Sequence, residues 1–287
     1  VTVREKPNGN SPANIHNNDA TYSSPAHWTT FPERLEKEGV SWKVYQNELS
    51  VGVGLEGEED SWLANFTNND LEWFSQYHVG FHPAHIQYMK KRAIELKNEI
   101  QNYDIGHKER VKRERLLKRI TKDLKKFSPE NFNKLPEWQQ NIHNKAFTTN
   151  INDPYYHEVE TLQYEDEGEE RTVKIPKGDV LDQFRKDVKD GQLPSVSWLV
   201  APANFSDHPG APWYGAWYIS EVLDILTQNH EVWKNTILIL TYDENDGYFD
   251  HVPPFTAPDP ENPKSGKCSS GIDTTVDYVT ETQAKAL

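Results

Sequence analysis

The chain has 287 residues, a mass of 33.2 kDa and a formal net charge of −14, with 31 Lys and Arg against 45 Asp and Glu. It contains no run of about 18 uncharged apolar residues, which excludes a membrane-spanning helix, and its nine Trp, thirteen Tyr and eleven Phe argue against wholesale disorder. The acidic balance argues against nucleic acid as a general partner, and the single cysteine, Cys268, excludes an intrachain disulfide and a cysteine-rich metal site.

The first structural signal along the chain is a helix start followed by a strand. Thr30 is placed to cap a helix, and Glu33 stands three residues on, at the spacing of a capping box. Gly39 ends that helix, and residues 40–45 then alternate between apolar and polar side chains. This order of helix, turn and strand is typical of an α/β sheet.

Residues 83–127 carry the pattern of two antiparallel helices joined near residues 102–106. Apolar side chains recur every three or four residues in both halves. Between His107 and Lys126, ten Lys and Arg stand against three Asp and Glu, a local net charge of +7. Two interpretations of this basic hairpin stay open, namely contact with an anionic surface or a partner, and a solvated helix face.

Residues 165–170, with the sequence Glu-Asp-Glu-Gly-Glu-Glu, form the densest acidic run. A run of this kind around a glycine predicts the exposed tip of a hairpin. It lacks the alternating ligand spacing of a calcium loop, so calcium binding is not expected here.

Residues 193–254 predict a unit of strand, helix and strand. Residues 195–200 indicate the first strand, residues 214–228 the helix, and the continuous apolar run 236–241 a second strand buried on both faces. Crossovers of this type are nearly always right-handed and join parallel strands.

Polar side chains follow each of these two strands. His208 lies in the loop after the first strand, and Asp243 and Glu244 come directly after the second. Because ligands of parallel α/β sheets bind beyond the carboxyl ends of the strands, we expect these residues to lie close together. One histidine and two carboxylates suit a divalent metal site or an acid–base pair, and a solvated turn is the alternative.

The motifs of this region carry a resemblance to a known family. They are Leu193–Trp198, Asp207–Pro209, Gly215–Ile219, Glu231–Thr236 and Tyr242–Pro254, together with the earlier blocks Trp28–Leu35 and Gly39–Gln46. In this order they resemble the bacterial phosphocholine-preferring phospholipase C family, whose wider phosphoesterase group includes certain acid phosphatases. The resemblance implies that residues 1–287 are a piece of one phosphoesterase catalytic domain, with the basic hairpin 83–127 as an insertion.

The resemblance also implies a fold and a set of site residues. The fold is an incomplete alkaline-phosphatase-like α/β sheet with helices on both faces. In the family, the acidic pair equivalent to Asp243 and Glu244 binds a divalent metal ion, and the equivalent of His208 contacts the substrate phosphate. Thr2 stands near the position of the family's nucleophilic threonine, although Val1 replaces the glycine that normally precedes it.

Two family motifs are absent from this sequence. The N-terminal Glu-Asn-Arg-Ser-Phe-Asp-His and the later Asp-His-Thr-Ser are missing, so we expect a middle piece, cut at both ends and inactive by itself. The longer protein is expected to be a metal-dependent phospholipase C, periplasmic or secreted, that acts on phosphatidylcholine-type lipids with peripheral membrane contact. The alternatives are a phosphomonoesterase of the acid phosphatase type and an inert fragment that serves as a binding module.

Aromatic residues close behind His208 suggest how a headgroup would be recognised. Trp213 and Tyr214 precede the predicted helix, and aromatic faces bind quaternary ammonium groups such as choline. The alternative is that these aromatic side chains belong to the core. Tyr218 stands at helical spacing from Val222 and is expected to be a core residue.

Overall fold

The computed structural model describes residues 26–206 and 212–242, together with Pro258, Asn262, Lys264, Gly266, Lys267 and Ser270. The chain divides into two compact units, residues 1–238 and residues 239–287. All helices and strands given below belong to the first unit.

The described part of the first unit combines short helices with two small sheets. The helices are Phe31–Lys37 (α1), Glu58–Leu63 (α2), Pro83–Ile100 (α3), Lys108–Lys126 (α4), Pro129–Phe132 (α5), Glu137–Ala146 (α6), Asp182–Lys189 (α7), Pro212–Gln228 (α8) and His230–Trp233 (α9). The strands are Trp42–Gln46 (β1), Val159–Asp166 (β2), Glu169–Pro176 (β3) and Val196–Val200 (β4). Four 3₁₀ turns cover Asp70–Trp73, Ser75–Tyr77, Val79–Phe81 and Ala203–Phe205.

The first sheet joins two strands that lie far apart in the chain. β1 and β4 run parallel, with Trp42 opposite Val196 and Gln46 opposite Val200. In this register both strands end at the same edge of the sheet. The segments that follow β1 and β4 therefore begin side by side.

Apolar side chains pack on both faces of this sheet. Trp42, Val44 and Trp198 belong to one cluster, whereas Tyr45 and Leu199 belong to another. The alternation follows from the strand geometry, in which successive side chains point to opposite faces.

Helices supply the other side of each cluster. Ile142 of α6 completes the first cluster, and Phe184 of α7 and Val222 of α8 complete the second. The expectation of a mixed α/β architecture is confirmed at this level.

The entry into β1 follows the sequence prediction. The Thr30 hydroxyl accepts a hydrogen bond from the Glu33 N–H at 3.5 Å, and the Glu33 carboxylate accepts one from the Thr30 N–H at 2.8 Å. Gly39 adopts a φ of +69°, a conformation that glycine reaches at little cost, and so ends the helix before β1. The capping box is confirmed.

The helical hairpin is confirmed as two helices, α3 and α4. Met89, Ala93 and Leu96 of α3 pack against Ile120 of α4 and against Phe127, which follows it.

Within residues 26–206 and 212–242, no helix has both the length and the apolar composition that crossing a membrane requires.

The acidic run forms a hairpin tip, as predicted. β2 and β3 pair antiparallel, and Glu167 and Gly168 connect them with φ angles of +53° and +84°. Two consecutive residues with positive φ fit the tight turns that match the twist of a two-stranded hairpin.

The second predicted strand, residues 236–241, is wrong. Residues 236–242 form neither helix nor strand, and Ile237 and Ile239 are 88% and 77% exposed. In the described part of the chain, β4 pairs only with β1, so the apolar run has no strand to bond to. Apolar character indicates burial but does not specify a hydrogen-bonding neighbour, which is why the pattern misled.

Three histidines are buried, His82 and His85 at the start of α3 and His143 in α6. Burial lowers the pKa of His82, and it lowers the pKa values of His85 and His143 to about 4. His85 and His143 donate through Nδ1 to the carbonyl oxygens of Gly52 at 2.6 Å and Tyr77 at 2.8 Å. They are therefore neutral donors in the folded protein.

These pKa values predict a loss of stability in acid. Below about pH 6.5 the unfolded chain takes up a proton on His85 and another on His143, and the folded chain takes these protons up only near pH 4. Each of His85 and His143 thus removes up to about 3 kcal/mol from the free energy of unfolding as the pH falls through this window. Urea unfolding followed by tryptophan fluorescence measures the change.

The variant His143→Gln keeps a side-chain donor for the Tyr77 carbonyl and removes the titration. Burial raises the pKa of Glu72, which acts on stability in the opposite direction but equally in both proteins. Between pH 6.5 and 4, the wild type should lose about 3 kcal/mol more than the variant. If the unfolding free energies of the wild type and the variant change equally with pH, the lowered pKa of His143 in the folded protein is contradicted.

Candidate functional site

Polar side chains gather where β1 ends. Gln46 closes the strand, and Asn47 and Glu48 follow it directly, all of them buried. The Asn47 amide donates to the carbonyl oxygens of Leu63 at 2.7 Å and Tyr156 at 3.1 Å. It therefore ties the end of α2 and the segment before β2 to the carboxyl edge of the sheet.

Two further asparagines complete a buried amide network. The Asn65 amide donates to the Gln46 side chain at 2.9 Å and to the Glu72 carboxylate at 3.1 Å. Asn150 donates to the Asn47 side-chain oxygen at 3.0 Å. Since buried polar groups are costly unless hydrogen-bonded, these mutual bonds specify one arrangement of the loops at this edge.

Glu48 is the central charged group of the network. It is fully buried, and its carboxylate accepts hydrogen bonds from the Leu49 N–H at 2.8 Å and from His157 Nε2 at 2.6 Å. The Tyr156 hydroxyl bonds to the same carboxylate, and burial together with this negative charge raises the pKa of Tyr156. His82 Nδ1 lies 4.0 Å from Glu48, too far for a hydrogen bond.

The pairing of Glu48 with His157 orients an imidazole. A carboxylate accepts hydrogen bonds, so His157 Nε2 carries the proton in this bond. The His157 side chain is partly exposed, whereas Glu48 is not. A buried carboxylate that holds a partly exposed histidine is suited to acid–base chemistry.

The loop after β4 reaches the same region. The Ala203 N–H donates to the Ala64 carbonyl at 3.2 Å, which places this loop beside the end of α2. The Phe205 ring packs on Trp62 with ring centroids 5.3 Å apart. The segments after β1, α2 and β4 thus meet at the carboxyl edge, where the sequence argument expects the site.

Trp213 and Tyr214 share a helix turn but differ in their contacts. Both lie in the first turn of α8, which begins at Pro212, so the expectation that they precede the helix is wrong. Trp213 is 85% exposed, whereas the Tyr214 ring packs on Trp62 at 4.9 Å. Tyr218 is buried, which confirms it as a core residue.

The remaining predicted site residues, Thr2, His208, Asp243 and Glu244, lie outside the described residues. The prediction that His208 and the acidic pair meet at one edge therefore stays a prediction. Within the described part of the chain, no group of three or more His, Cys, Asp or Glu side chains is arranged to hold a metal ion.

Sequence reasoning missed Asn47, Glu48 and His157. A signal for the first two was present, because they follow a buried strand directly, as His208 follows β4. His157 carried no local signal, since its proximity to Glu48 arises only when the segment before β2 folds back on the sheet.

The buried carboxylate should be important for stability. Glu48→Gln removes the charge that His157, Tyr156 and the Leu49 N–H satisfy, and we expect a loss of about 2 kcal/mol in unfolding free energy. Glu158→Gln, which breaks the surface ion pair with Lys177, is the matched control and should cost about 0.5 kcal/mol or less. Urea unfolding of the two variants measures these losses. Equal losses in unfolding free energy would contradict the central role of Glu48 in the network.

The sequence matches an established family over most of its length. The sequence model of the phosphoesterase family matches residues 1–116 and 130–276. The non-hemolytic phospholipase C of Burkholderia pseudomallei is 31% identical over 266 residues, which are 90% of this chain and 26% of the relative. The non-hemolytic phospholipase C of Pseudomonas aeruginosa is 27% identical over 270 residues, 93% of this chain and 25% of the relative.

A shorter stretch matches another relative at higher identity. Phospholipase C A of Mycobacterium tuberculosis is 50% identical over 76 residues, 26% of this chain and 15% of the relative. The chain spans about a quarter of the length of the first two relatives. The resemblance drawn from the motifs is confirmed, and the chain belongs to the phosphoesterase family.

Proposed function

We propose that this chain is part of a phosphoric ester hydrolase of the phospholipase C type. Its substrates are phosphatidylcholine-type lipids, which it cleaves to diacylglycerol and a phosphorylated headgroup. The observation that carries the proposal is the match of nine-tenths of the chain to relatives named phospholipase C. A periplasmic or secreted location and an alkaline-phosphatase-like completion of the sheet are parts of the same proposal.

The proposed chemistry is a two-step displacement at phosphorus. The Thr2 hydroxyl attacks the phosphorus atom, the bond to the diacylglycerol oxygen breaks, and that oxygen takes a proton as it leaves. Water then cleaves the threonyl phosphate and releases the phosphorylated headgroup. His208 donates to a nonbridging phosphate oxygen, which lowers the energy of the transition state.

Asp243 and Glu244 are the proposed holders of a divalent metal ion. Adjacent carboxylates beside an imidazole are hard to borderline donors, and this donor set fits a divalent cation. When bound, the ion would supply positive charge next to the phosphoryl oxygens.

The carboxyl edge of the sheet supports this proposal. It brings the loop that leads to His208 next to the buried Glu48 network and to an aromatic group made of Trp62, Phe205 and Tyr214. A phosphodiester with a cationic headgroup needs polar contacts at its phosphate and aromatic faces at its cation. Both kinds of group occur at this edge.

Hydrolysis of a choline phosphodiester tests the proposal. In the longer protein expected to contain this chain, Asp243→Asn or Glu244→Gln should lower kcat/KM at least about 100-fold, as should a chelator. Asp224→Asn, on the exposed side of α8, is the control and should leave the rate unchanged.

Two results would redirect the proposal. Full activity in the presence of a chelator would contradict the metal-dependent reaction. Faster cleavage of a phosphomonoester than of the choline diester would favour the acid phosphatase alternative.

The exposed Trp213 provides a test of headgroup recognition. Trp213→Leu should raise KM for a choline ester about fivefold, because a cation–π contact is lost, and should spare a lipid whose headgroup carries no cation. Trp138→Leu, at another exposed tryptophan, is the control. An equal rise for both lipids would indicate packing rather than recognition.

A further inference from the structure

We propose that one face of α4 docks on an anionic lipid bilayer. This face, the α4 basic face, consists of five exposed cations: Lys108, Arg115, Lys118, Lys122 and Lys125. Docking requires no bond to be broken, so the inference goes beyond the proposed reaction.

The spacing of the five cations places them on one side of the helix. They follow one another at intervals of seven, three, four and three residues, which keeps them within about 100° of one another on a helix of 3.6 residues per turn. α4 has 19 residues and is therefore about 28 Å long. The result is a straight basic row suited to a flat surface.

The acidic residues of α4 lie next to cations outside this row. Glu109 pairs with Lys112 at 2.8 Å and Arg113 at 3.0 Å, and Glu114 pairs with Arg110 at 2.8 Å. Asp123 is buried and lies 3.8 Å from Arg119.

On the neighbouring helix α3, the acids are also engaged. Glu95 lies 3.0 Å from Arg92, and Glu99 bonds to Arg92 at 2.5 Å and to Arg113 at 2.7 Å. None of the five cations forms an ion pair with another described residue, so their charge is available to a partner.

Packing against α3 holds the row outward. Leu96 and Ile120 are buried between the two helices, and Leu117 and Leu124 are partly buried there. Turning α4 would expose this apolar seam, so the basic face stays directed to the surface.

An exposed apolar side chain at the start of α4 favours a bilayer over a polynucleotide. Ile105, in the turn that precedes α4, is 91% exposed. A bilayer interface accepts apolar side chains among its headgroups, whereas a phosphate–sugar backbone provides no apolar environment for them. The net charge of −21 on the rest of the chain also opposes wrapping by a polyanion, since −14 minus the local +7 equals −21.

The match to the family model is interrupted within this face. The model leaves out residues 117–129, and Lys118, Lys122 and Lys125 fall within that gap. Three of the five cations therefore lie outside the matched segments.

Cosedimentation with vesicles tests the inference. The triple variant Arg115→Gln, Lys118→Gln and Lys122→Gln should bind vesicles that contain phosphatidylglycerol about 100-fold more weakly than the wild type, since each cation contributes about fivefold. Wild-type binding should also fall steeply with added salt, and vesicles of phosphatidylcholine alone should not distinguish the two proteins.

The control removes three exposed lysines elsewhere, with Lys37→Gln, Lys174→Gln and Lys189→Gln, and changes the net charge equally. Its binding should stay within about twofold of the wild type if the row acts as a site. Circular dichroism confirms that each variant is folded, and the salt dependence of the wild type tests the proposal without any variant.

Several outcomes would overturn the inference. They are equal losses in the two triple variants, tighter binding of duplex DNA than of anionic vesicles, and salt-insensitive or absent binding by the wild type. If the longer protein binds anionic vesicles but does not cleave a choline phosphodiester, this inference stands and only the proposed function fails.

Discussion

The parallel pairing of β1 and β4 is the constraint on which the rest of the structure depends. Parallel strands cannot be joined by a tight turn, so the chain between Gln46 and Val196 must travel away and return. Because the register aligns the two ends, the segments after both strands start at one edge. That alignment places Asn47 and Glu48, which follow β1, at the same edge as the loop that follows β4, and His157, Trp62 and Tyr214 reach this edge from other segments.

The loops at this edge are held by hydrogen bonds rather than by regular structure. The Asn47 amide donates to backbone carbonyls, Asn150 donates to Asn47, and Asn65 donates to the Gln46 side chain. Glu48 accepts from His157 and the Leu49 N–H. A network of this kind is rigid when complete, because removing one member leaves a buried polar group unsatisfied. A site for a charged ester requires rigidly held loops of this kind.

Local signals in the sequence were sufficient for the elements that depend on neighbours in the chain. The Thr30 capping box, the α3–α4 hairpin and the buried face of α8 at Tyr218 each arise from spacings within a few residues. The prediction of a strand at residues 236–241 was wrong because a strand also needs a hydrogen-bonding neighbour, and an apolar pattern does not specify one. The pairing of Glu48 with His157 could not be predicted for the same reason, since it joins residues that only the folded chain brings together.

The central claim is that the carboxyl edge of the β1–β4 sheet binds the phosphate ester. Hydrogen exchange of the longer protein, measured with and without phosphocholine and a divalent metal ion, tests it most directly. The account predicts added protection in residues 47–50, 62–65 and 201–206, which meet at this edge. Protection confined to the α3–α4 hairpin or to the β2–β3 hairpin, with none at these three segments, would contradict the claim.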